Sequence, residues 1–495
     1  MGKTHWIHKI HLPAWVVGIL ALVLILRIPS FFEPYYYGDE TIYLTLGQGM
    51  RQGLTLYKDI HDNKPPLLYL TAAAAGNLFW FKTILCFWSL ITITFFYKLS
   101  AKLFEKNKKA QIISTSIFAI LTTIPLFEGN IVNAEPFMIG FSIIALYTLL
   151  SNGLSSKKIF FAGFLFGIGT LFKVPAAFDL PIIAIYWFIT NDFKSWPKVI
   201  KNTAILGLGF ASPILFTLAW YYMKGALPEY IKAAFLQNVG YLSSFRPNDI
   251  QKPFYIRNGP LLIRAAVVFV GTVILFLLRK KLSKKFILFC VWTFLGLFAV
   301  TLSERPYPHY FIQVLAPVSF LLGMFFAEKG IEQSFVVIPL ALSFFVPVYY
   351  KFYYYQTASY YARFINFATG RTSKAEYFQS FAKTVNRNYK IADFLVTVTL
   401  PTDHVFMWDP DSATVYALSR RLPPIKYVAD YHIADYSSLS EVAKQLAANP
   451  PKFIILTSRY PFPNISSLLK KKYILINQIE NANIYGRIDL APKGK

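Results

Sequence analysis

Long apolar runs constrain this chain more than any other feature of its sequence. They recur between residues 13 and 350 and are about 16 to 22 residues long, close to the ~20 helical residues that cross a ~30 Å hydrocarbon core. Backbone groups in lipid must bond within their own segment, so the runs are predicted to be helices. The chain has 495 residues, of which 55% are hydrophobic. It is therefore predicted to be a polytopic membrane protein.

We predict eleven spans, at 13–32, 82–104, 110–127, 135–150, 159–172, 175–190, 203–223, 261–278, 286–303, 310–326 and 334–350. Only Lys173 and Val174 separate the fifth span from the sixth. Residues 67–81 are apolar too, but Lys82 leaves no room for two full spans, so they are predicted to form a short juxtamembrane or re-entrant helix. Two long loops remain on one side of the membrane, 33–81 and 224–260.

The net charge of +25 could indicate a nucleic-acid partner. The basic residues, however, cluster in alternate loops, such as 98–109 and 279–285. This is the positive-inside bias, which places the N-terminus in the cytoplasm and, with eleven spans, the C-terminus outside. We therefore expect a multi-pass protein of the cell membrane whose partners are membrane lipids, and no nucleic acid.

The composition changes after residue 350. A helical stretch near 374–396 and a helix near 438–449 alternate with strand-like runs at Val405–Trp408, 453–456 and 473–476. Alternation of this kind is typical of an α/β domain. The predicted architecture is an all-α polytopic membrane domain over 1–350, followed by a small extracytoplasmic α/β domain over 351–495.

Asp39 and Glu40 follow the first span directly. Ile42, Leu46 and Met50 then recur at a spacing of four, which predicts a helix lying along the membrane surface. Asp39 has two compatible interpretations: a cap of that helix, or a general base that takes a proton from an acceptor. Glu40 orients Asp39, contacts the acceptor, or complements the helix dipole.

A second cluster in the same loop runs from Asp62 to Pro66. Pro65 and Pro66 restrict the backbone beside Lys64, which makes this lysine a candidate ligand of a lipid phosphate. The alternative is a lysine that snorkels to the lipid headgroups. Asp62 is a weaker candidate, as support or as an acceptor ligand, because its surroundings resemble a turn.

Further polar residues lie on segments assigned to the same side. Glu135 is either a binding residue or a dipole partner at the start of the fourth span. Arg305 can donate two parallel N–H groups of its guanidinium to phosphate, with His309 and Tyr310 as further donors. The alternative is that these residues only cap a loop. Lys173 is another candidate phosphate ligand. Their placement on one side predicts a single outward-facing site.

The ordered set of motifs, Asp39 with Glu40, D-x-K-P-P, N-x-E-P and R-P-x-P-H-Y, resembles the GT-C membrane glycosyltransferases. The resemblance is to the bacterial group of glycosyltransferase family 39, near the protein O-mannosyltransferases and the aminoarabinose transferase of lipid A. It implies a polyprenyl-phosphate sugar as donor and an inverting transfer to an envelope lipid, glycan or protein.

By the same resemblance, Asp39 is the catalytic base, Glu40 its neighbour at the acceptor, and Lys64 a ligand of the lipid phosphate. Arg305 and His309 would line the same cavity. Two other functions stay open: a transporter or flippase of lipid-linked sugars, and a non-catalytic envelope assembly protein. No cofactor is indicated, although Asp39, Glu40, Asp62 and Glu135 would supply oxygen ligands to a divalent metal if they converge.

Overall fold

The computed structural model describes residues 12–240 and 252–490, so part of the predicted loop 224–260 lies outside the described residues. The described residues up to 350 are mainly helical. Their α-helices are α1 (Ala14–Arg27), α2 (Gly38–Arg51), α3 (Leu67–Ala75), α4 (Leu78–Phe104), α5 (Lys108–Leu121), α6 (Ala134–Leu150), α7 (Ser156–Phe172), α8 (Leu180–Thr190), α9 (Trp196–Met223), α10 (Leu227–Ile231), α11 (Gln237–Gly240), α12 (Phe254–Leu277), α13 (Lys284–Val300), α14 (Ile312–Ala327), α15 (Ile331–Phe335) and α16 (Val337–Tyr349). This part also contains short 3-10 helices at Ile28–Phe32, Pro125–Phe127, Val174–Asp179, Phe193–Ser195 and Pro308–Phe311 and a π-helix at Lys232–Leu236.

Each of the eleven predicted apolar runs is helical over most of its length. Among the described residues, six helical segments are long and apolar enough to cross a membrane: Ala14–Phe32, Leu78–Phe104, Phe193–Met223, Phe254–Leu277, Pro308–Ala327 and Ile331–Tyr349. Ala134–Leu150 and Val174–Thr190 are shorter apolar helices. The helical membrane protein is confirmed, whereas eleven crossings and their orientation stay predictions.

The predicted surface helix after the first span is α2, and the predicted juxtamembrane helix is α3. Gly76 ends α3 with a φ of 71°, a left-handed conformation that glycine adopts without steric cost. Asn77 then caps α4, because its side chain accepts a hydrogen bond from Trp80 N. The long helix therefore starts at Leu78, four residues before the predicted start, because this cap and not Lys82 marks its first turn.

Helices α7 and α9 pack against each other through glycines. A Cβ at Gly163 or at Gly167 would collide with the backbone of α9, at Leu206 and Phe210 respectively. A Cβ at Gly209 would likewise collide with the backbone of Phe160. Small residues at such positions let helices approach closely in a membrane, where apolar burial does not drive association.

The C-terminal part contains α17 (Thr357–Ala368), α18 (Lys374–Gln379), α19 (Val385–Val398), α20 (Ser412–Ser419), α21 (Asp430–Tyr436), α22 (Leu439–Ala448) and α23 (Ser466–Lys472). Its strands are β1 (Val405–Trp408), β2 (Phe453–Thr457), β3 (Tyr473–Ile479) and β4 (Ala482–Arg487), in the order β1-β2-β4-β3. Only β1 and β2 are parallel. The three predicted strands are confirmed, and β4 is an addition. The predicted helix near 374–396 is divided into α18 and α19.

The C-terminal part packs on the first loop. Thr45 Oγ1 of α2 donates to the carbonyl oxygen of Ala413 at 3.1 Å, and His61 N donates to the carbonyl oxygen of Lys426 at 2.9 Å. Buried apolar side chains of α2, α3 and α4 share one core with those of α19, α20 and the sheet. The boundary at residue 350 stays a prediction, and a continuous core crosses it.

A buried ion cluster joins the end of the first span to α2 and α4. Lys82 Nζ lies 2.8 Å from Glu33 Oε2 and 2.7 Å from Glu40 Oε1, and it donates to the carbonyl oxygen of Asn130 at 2.9 Å. Glu40 also accepts a hydrogen bond from Val132 N at 2.6 Å. One ammonium faces two carboxylates, and burial raises the pKa of Glu40 to about 7 although Lys82 opposes the shift.

We expect Lys82→Met to destabilise the protein by about 3–5 kcal/mol, because it leaves two carboxylates buried without a cation. Glu40→Gln is the matched variant. It removes one of the two competing carboxylates and retains an oxygen for Val132 N, so its stability is expected to stay near that of the wild type. Thermal unfolding of the purified proteins in detergent measures both. A wild-type unfolding temperature for Lys82→Met would contradict this account.

Candidate functional site

A cavity of about 620 Å³ lies between the first loop, the helical bundle and the C-terminal part. Its polar and charged lining residues include Asp39, Asn63, Lys64, Glu135, Lys173, Asn238, Arg305, His309, Tyr310, Gln313 and Asp435. Apolar side chains such as Phe178, Phe235, Leu261 and Leu302 form other parts of the wall. The cavity thus combines an apolar wall with a charged region, as a site for an amphiphilic ligand requires.

Asp39 enters this cavity from the first turn of α2, and the residue that caps the helix is Tyr37. Tyr43, one helical turn later, donates its hydroxyl hydrogen to Asp39 Oδ2 at 2.8 Å. Burial alone would raise the pKa of Asp39, but the Lys64 ammonium, together with the neighbouring His309 and the Tyr43 hydroxyl, outweighs it and lowers that pKa. Asp39 is therefore ionised at neutral pH and its orientation is fixed.

Lys64 lies opposite Asp39, with 3.8 Å between Nζ and Oδ2. The backbone around it is held on both sides, because Tyr57 donates its hydroxyl hydrogen to Lys64 O at 2.8 Å and Lys64 N donates to Tyr69 Oη at 3.3 Å. Its ammonium lies 5.0 Å from the centre of the Tyr43 ring. The predicted proximity of Asp39 and Lys64 is thus present in the fold.

A second charged group faces the cavity from α6 and the start of the 3-10 helix at Val174–Asp179. Lys173 pairs with Glu135, and its Nζ lies 3.9 Å from the centre of the Tyr310 ring. Arg305 lines the same cavity. Lys64, Lys173 and Arg305, which are distant in sequence, therefore bring positive charge to one cavity.

His309 is held by a glutamate that the sequence did not single out. Its Nδ1 pairs with Glu128 Oε2, while Tyr37 donates its hydroxyl hydrogen to Glu128 Oε1 at 3.0 Å. The other ring nitrogen, Nε2, lies 3.9 Å from Glu135 Oε1. Glu128 therefore fixes the imidazole orientation, as second-layer carboxylates commonly do.

Glu40 and Asp62 lie outside the set of described residues that line the cavity. Glu40 belongs to the ion cluster around Lys82. Asp62 is buried, and its Oδ1 lies 3.3 Å from Nε2 of His432 in α21. Burial would raise the pKa of Asp62, but Lys64 and His432 lower it, so this residue is charged at neutral pH. The structure therefore argues against direct contact of Glu40 or Asp62 with a substrate in this cavity.

The four carboxylates considered as metal ligands do not converge. Within residues 12–240 and 252–490, no group of three or more His, Cys, Asp or Glu side chains is arranged to hold a metal ion. Asp39 and Glu135 each face a lysine instead.

Sequence reasoning missed one wall of the cavity, which comes from the C-terminal part. Tyr431, Asp435 and Tyr436 of α21 all line it. Asn63 Nδ2 donates to Tyr436 Oη at 3.1 Å and so ties α21 to the loop that carries Lys64. The aromatic and acidic residues at 430–436 could have indicated a binding surface. Their distance in sequence from Lys64 gave no indication that they lie beside it.

These groups can carry out a defined type of chemistry. An ionised, oriented carboxylate can accept a proton, and cations beside it can stabilise the charge of a phosphate leaving group. Since Asp39 and Lys64 lie within one cavity, both events can take place on one bound substrate.

No family model and no curated protein matches the sequence. Solved structures do match. The crystal structure of ArnT from Cupriavidus metallidurans bound to undecaprenyl phosphate is 13% identical, with a TM-score of 0.57 over 97% of this chain and 99% of that one. The crystal structure of the same ArnT in the apo state is also 13% identical, with a TM-score of 0.55 over 95% of this chain and 97% of that one. The oligosaccharyltransferase AglB from Archaeoglobus fulgidus, at 12% identity over 97% and 75% of the two chains, has a TM-score of 0.46. The chain therefore has the fold of ArnT, as the resemblance in its motifs predicted.

Proposed function

We propose that this protein is a membrane glycosyltransferase that takes a sugar from a polyprenyl-phosphate donor and transfers it to an acceptor in the cell envelope. The observation that carries the proposal is the Asp39 carboxylate, held 3.8 Å from the Lys64 ammonium inside a partly apolar cavity. A base and a phosphate ligand at this separation are what transfer from a lipid phosphate requires. ArnT, whose fold the chain shares, has been crystallised with undecaprenyl phosphate.

In the proposed reaction the acceptor nucleophile attacks the anomeric carbon and passes its proton to Asp39. The bond between that carbon and the phosphate oxygen breaks, and the polyprenyl phosphate leaves with the electron pair. One displacement of this kind inverts the configuration of the sugar, and no second nucleophilic carboxylate is needed. Tyr43 and Lys64 hold Asp39 in its orientation.

The leaving phosphate would be bound by Lys64 together with Lys173, Arg305 and His309, all of which line the cavity. Glu135 and Tyr310 support Lys173, and Glu128 supports His309. The polyprenyl chain would lie along the apolar wall. Glu40 and Asp62 act indirectly in this proposal: Glu40 anchors α2 under Asp39, and Asp62 anchors α21 beside Lys64.

Asp39→Asn is expected to lower the rate of sugar transfer about 100- to 10,000-fold, the usual contribution of a general base. The assay follows consumption of lipid-linked sugar, extracted from producing cells, by purified protein and envelope acceptor. Asp393→Asn is the matched control, because it changes an exposed carboxylate of α19 outside the cavity and should keep most of the rate. Near-normal transfer by Asp39→Asn would show that Asp39 is not the base. Movement of the donor across the membrane of reconstituted vesicles, without sugar transfer, would favour a flippase.

Lys64→Ala is expected to weaken binding of undecaprenyl phosphate about tenfold or more, because a charge-assisted contact to the phosphate is lost. Binding can be titrated by thermophoresis in detergent, with thermal unfolding as a check of the fold. Lys198→Ala changes an exposed lysine at the start of α9 and should leave the affinity unchanged. Equal affinities for the Lys64→Ala variant and the wild type would contradict a phosphate contact at Lys64.

A further inference from the structure

A second cleft lies at the other end of α2. Its volume is about 580 Å³, and it is lined by Arg51, Ala73, Ala74, Ala75, Gly76, Asn77, Trp80, Ile84 and Arg420. None of these residues lines the first cavity. Arg51 is twelve residues beyond Asp39 on the same helix, which at ~1.5 Å per residue places their backbones about 18 Å apart. The cleft is therefore separate from the proposed transfer site.

Two arginines from distant parts of the chain line this cleft. Arg51 lies in the last turn of α2, and Arg420 follows α20 with a left-handed φ of 56°. Both side chains are exposed, and neither forms a hydrogen bond or ion pair with any residue in 12–240 or 252–490. Both side chains bring positive charge to one cleft, which favours an anion bound there.

The position of Arg51 depends on Gly76. A Cβ at Gly76 would collide with Arg51 Nη1, so a glycine is needed for the guanidinium to lie there. Gly76 ends α3, and the negative end of that helix dipole attracts the positive charge. The local fold thus holds this arginine against the cleft.

The cleft borders a helix that is long and apolar enough to cross a membrane. Asn77 caps α4, and Trp80 in its first turn is 54% exposed. Phe79 and Phe87 on the same helix are 50% and 62% exposed, as expected for side chains that contact lipid. Tryptophan at the start of a span marks the level of the lipid headgroups. The two arginines therefore lie where lipid phosphates are found.

We propose that this cleft binds the phosphate of an anionic membrane phospholipid. Arg51 and Arg420 contact the phosphate oxygens, and the acyl chains run along the exposed face of α4 past Trp80 and Ile84. Planar guanidinium groups suit phosphate oxygens because each presents two parallel N–H donors. A free phosphate ion offers the same oxygens but gains nothing from the apolar surface, which favours the lipid.

The test uses the full-length protein in detergent and three soluble probes: dioctanoyl-phosphatidylglycerol, dioctanoyl-phosphatidylcholine and inorganic phosphate. We expect phosphatidylglycerol to bind with the highest affinity. Arg51→Gln and Arg420→Gln are each expected to weaken that binding about tenfold or more. Arg51→Lys and Arg420→Lys keep the charge but lose the paired donors, so their affinities should be intermediate. Thermal unfolding confirms that each variant is folded.

Two further variants separate the cleft from other anion sites. Arg371→Gln removes an exposed arginine of the C-terminal part and should leave phosphatidylglycerol binding unchanged. Lys64→Gln removes a positive charge from the first cavity and should also leave phosphatidylglycerol binding unchanged. The proposal is overturned if neither cleft arginine matters, if Lys64→Gln alone abolishes binding, or if inorganic phosphate binds as tightly as the lipid.

Discussion

The pairing of one buried lysine with two buried carboxylates positions the rest of the site. Lys82 joins Glu33, which follows the first span, to Glu40 in the first turn of α2. Consecutive residues of an α-helix point about 100° apart. With Glu40 fixed inside the protein, the neighbouring Asp39 must face another direction, and that direction is the cavity. The orientation of the proposed base therefore depends on an ion cluster whose members do not line the cavity.

The cavity itself is held by a layer of charged and aromatic groups behind the residues that face it. Glu128 fixes His309, Glu135 pairs with Lys173, and Tyr43 holds Asp39. Buried polar groups are stable only when they are paired, so each of these contacts also offsets the cost of placing charge near the membrane. The arrangement gives the cavity acidic and basic groups at fixed positions.

The motifs in the sequence predicted the cavity well but not the role of each member. Asp39, Lys64, Glu135, Lys173, Arg305, His309 and Tyr310 all line it. Glu40 and Asp62 were also candidates, since the sequence does not show whether a carboxylate in a membrane-adjacent loop faces a cavity or a buried partner. Glu128 was missed because its partner His309 is 181 residues away.

The sequence by itself determined the features that depend on neighbouring residues along the chain. Apolar runs set the helical architecture because lipid leaves the backbone no other partner, and alternating helices and strands gave the C-terminal α/β part. Tertiary structure decided which charges meet. Four features depend on contacts between segments far apart in the chain: the separation of Asp39 from Lys64, the lysine that Glu40 shares with Glu33, the wall supplied by Tyr431 and Asp435, and the cleft that Arg51 and Arg420 both line. Periodicity and spacing carry no information about such contacts, because packing of whole elements creates them.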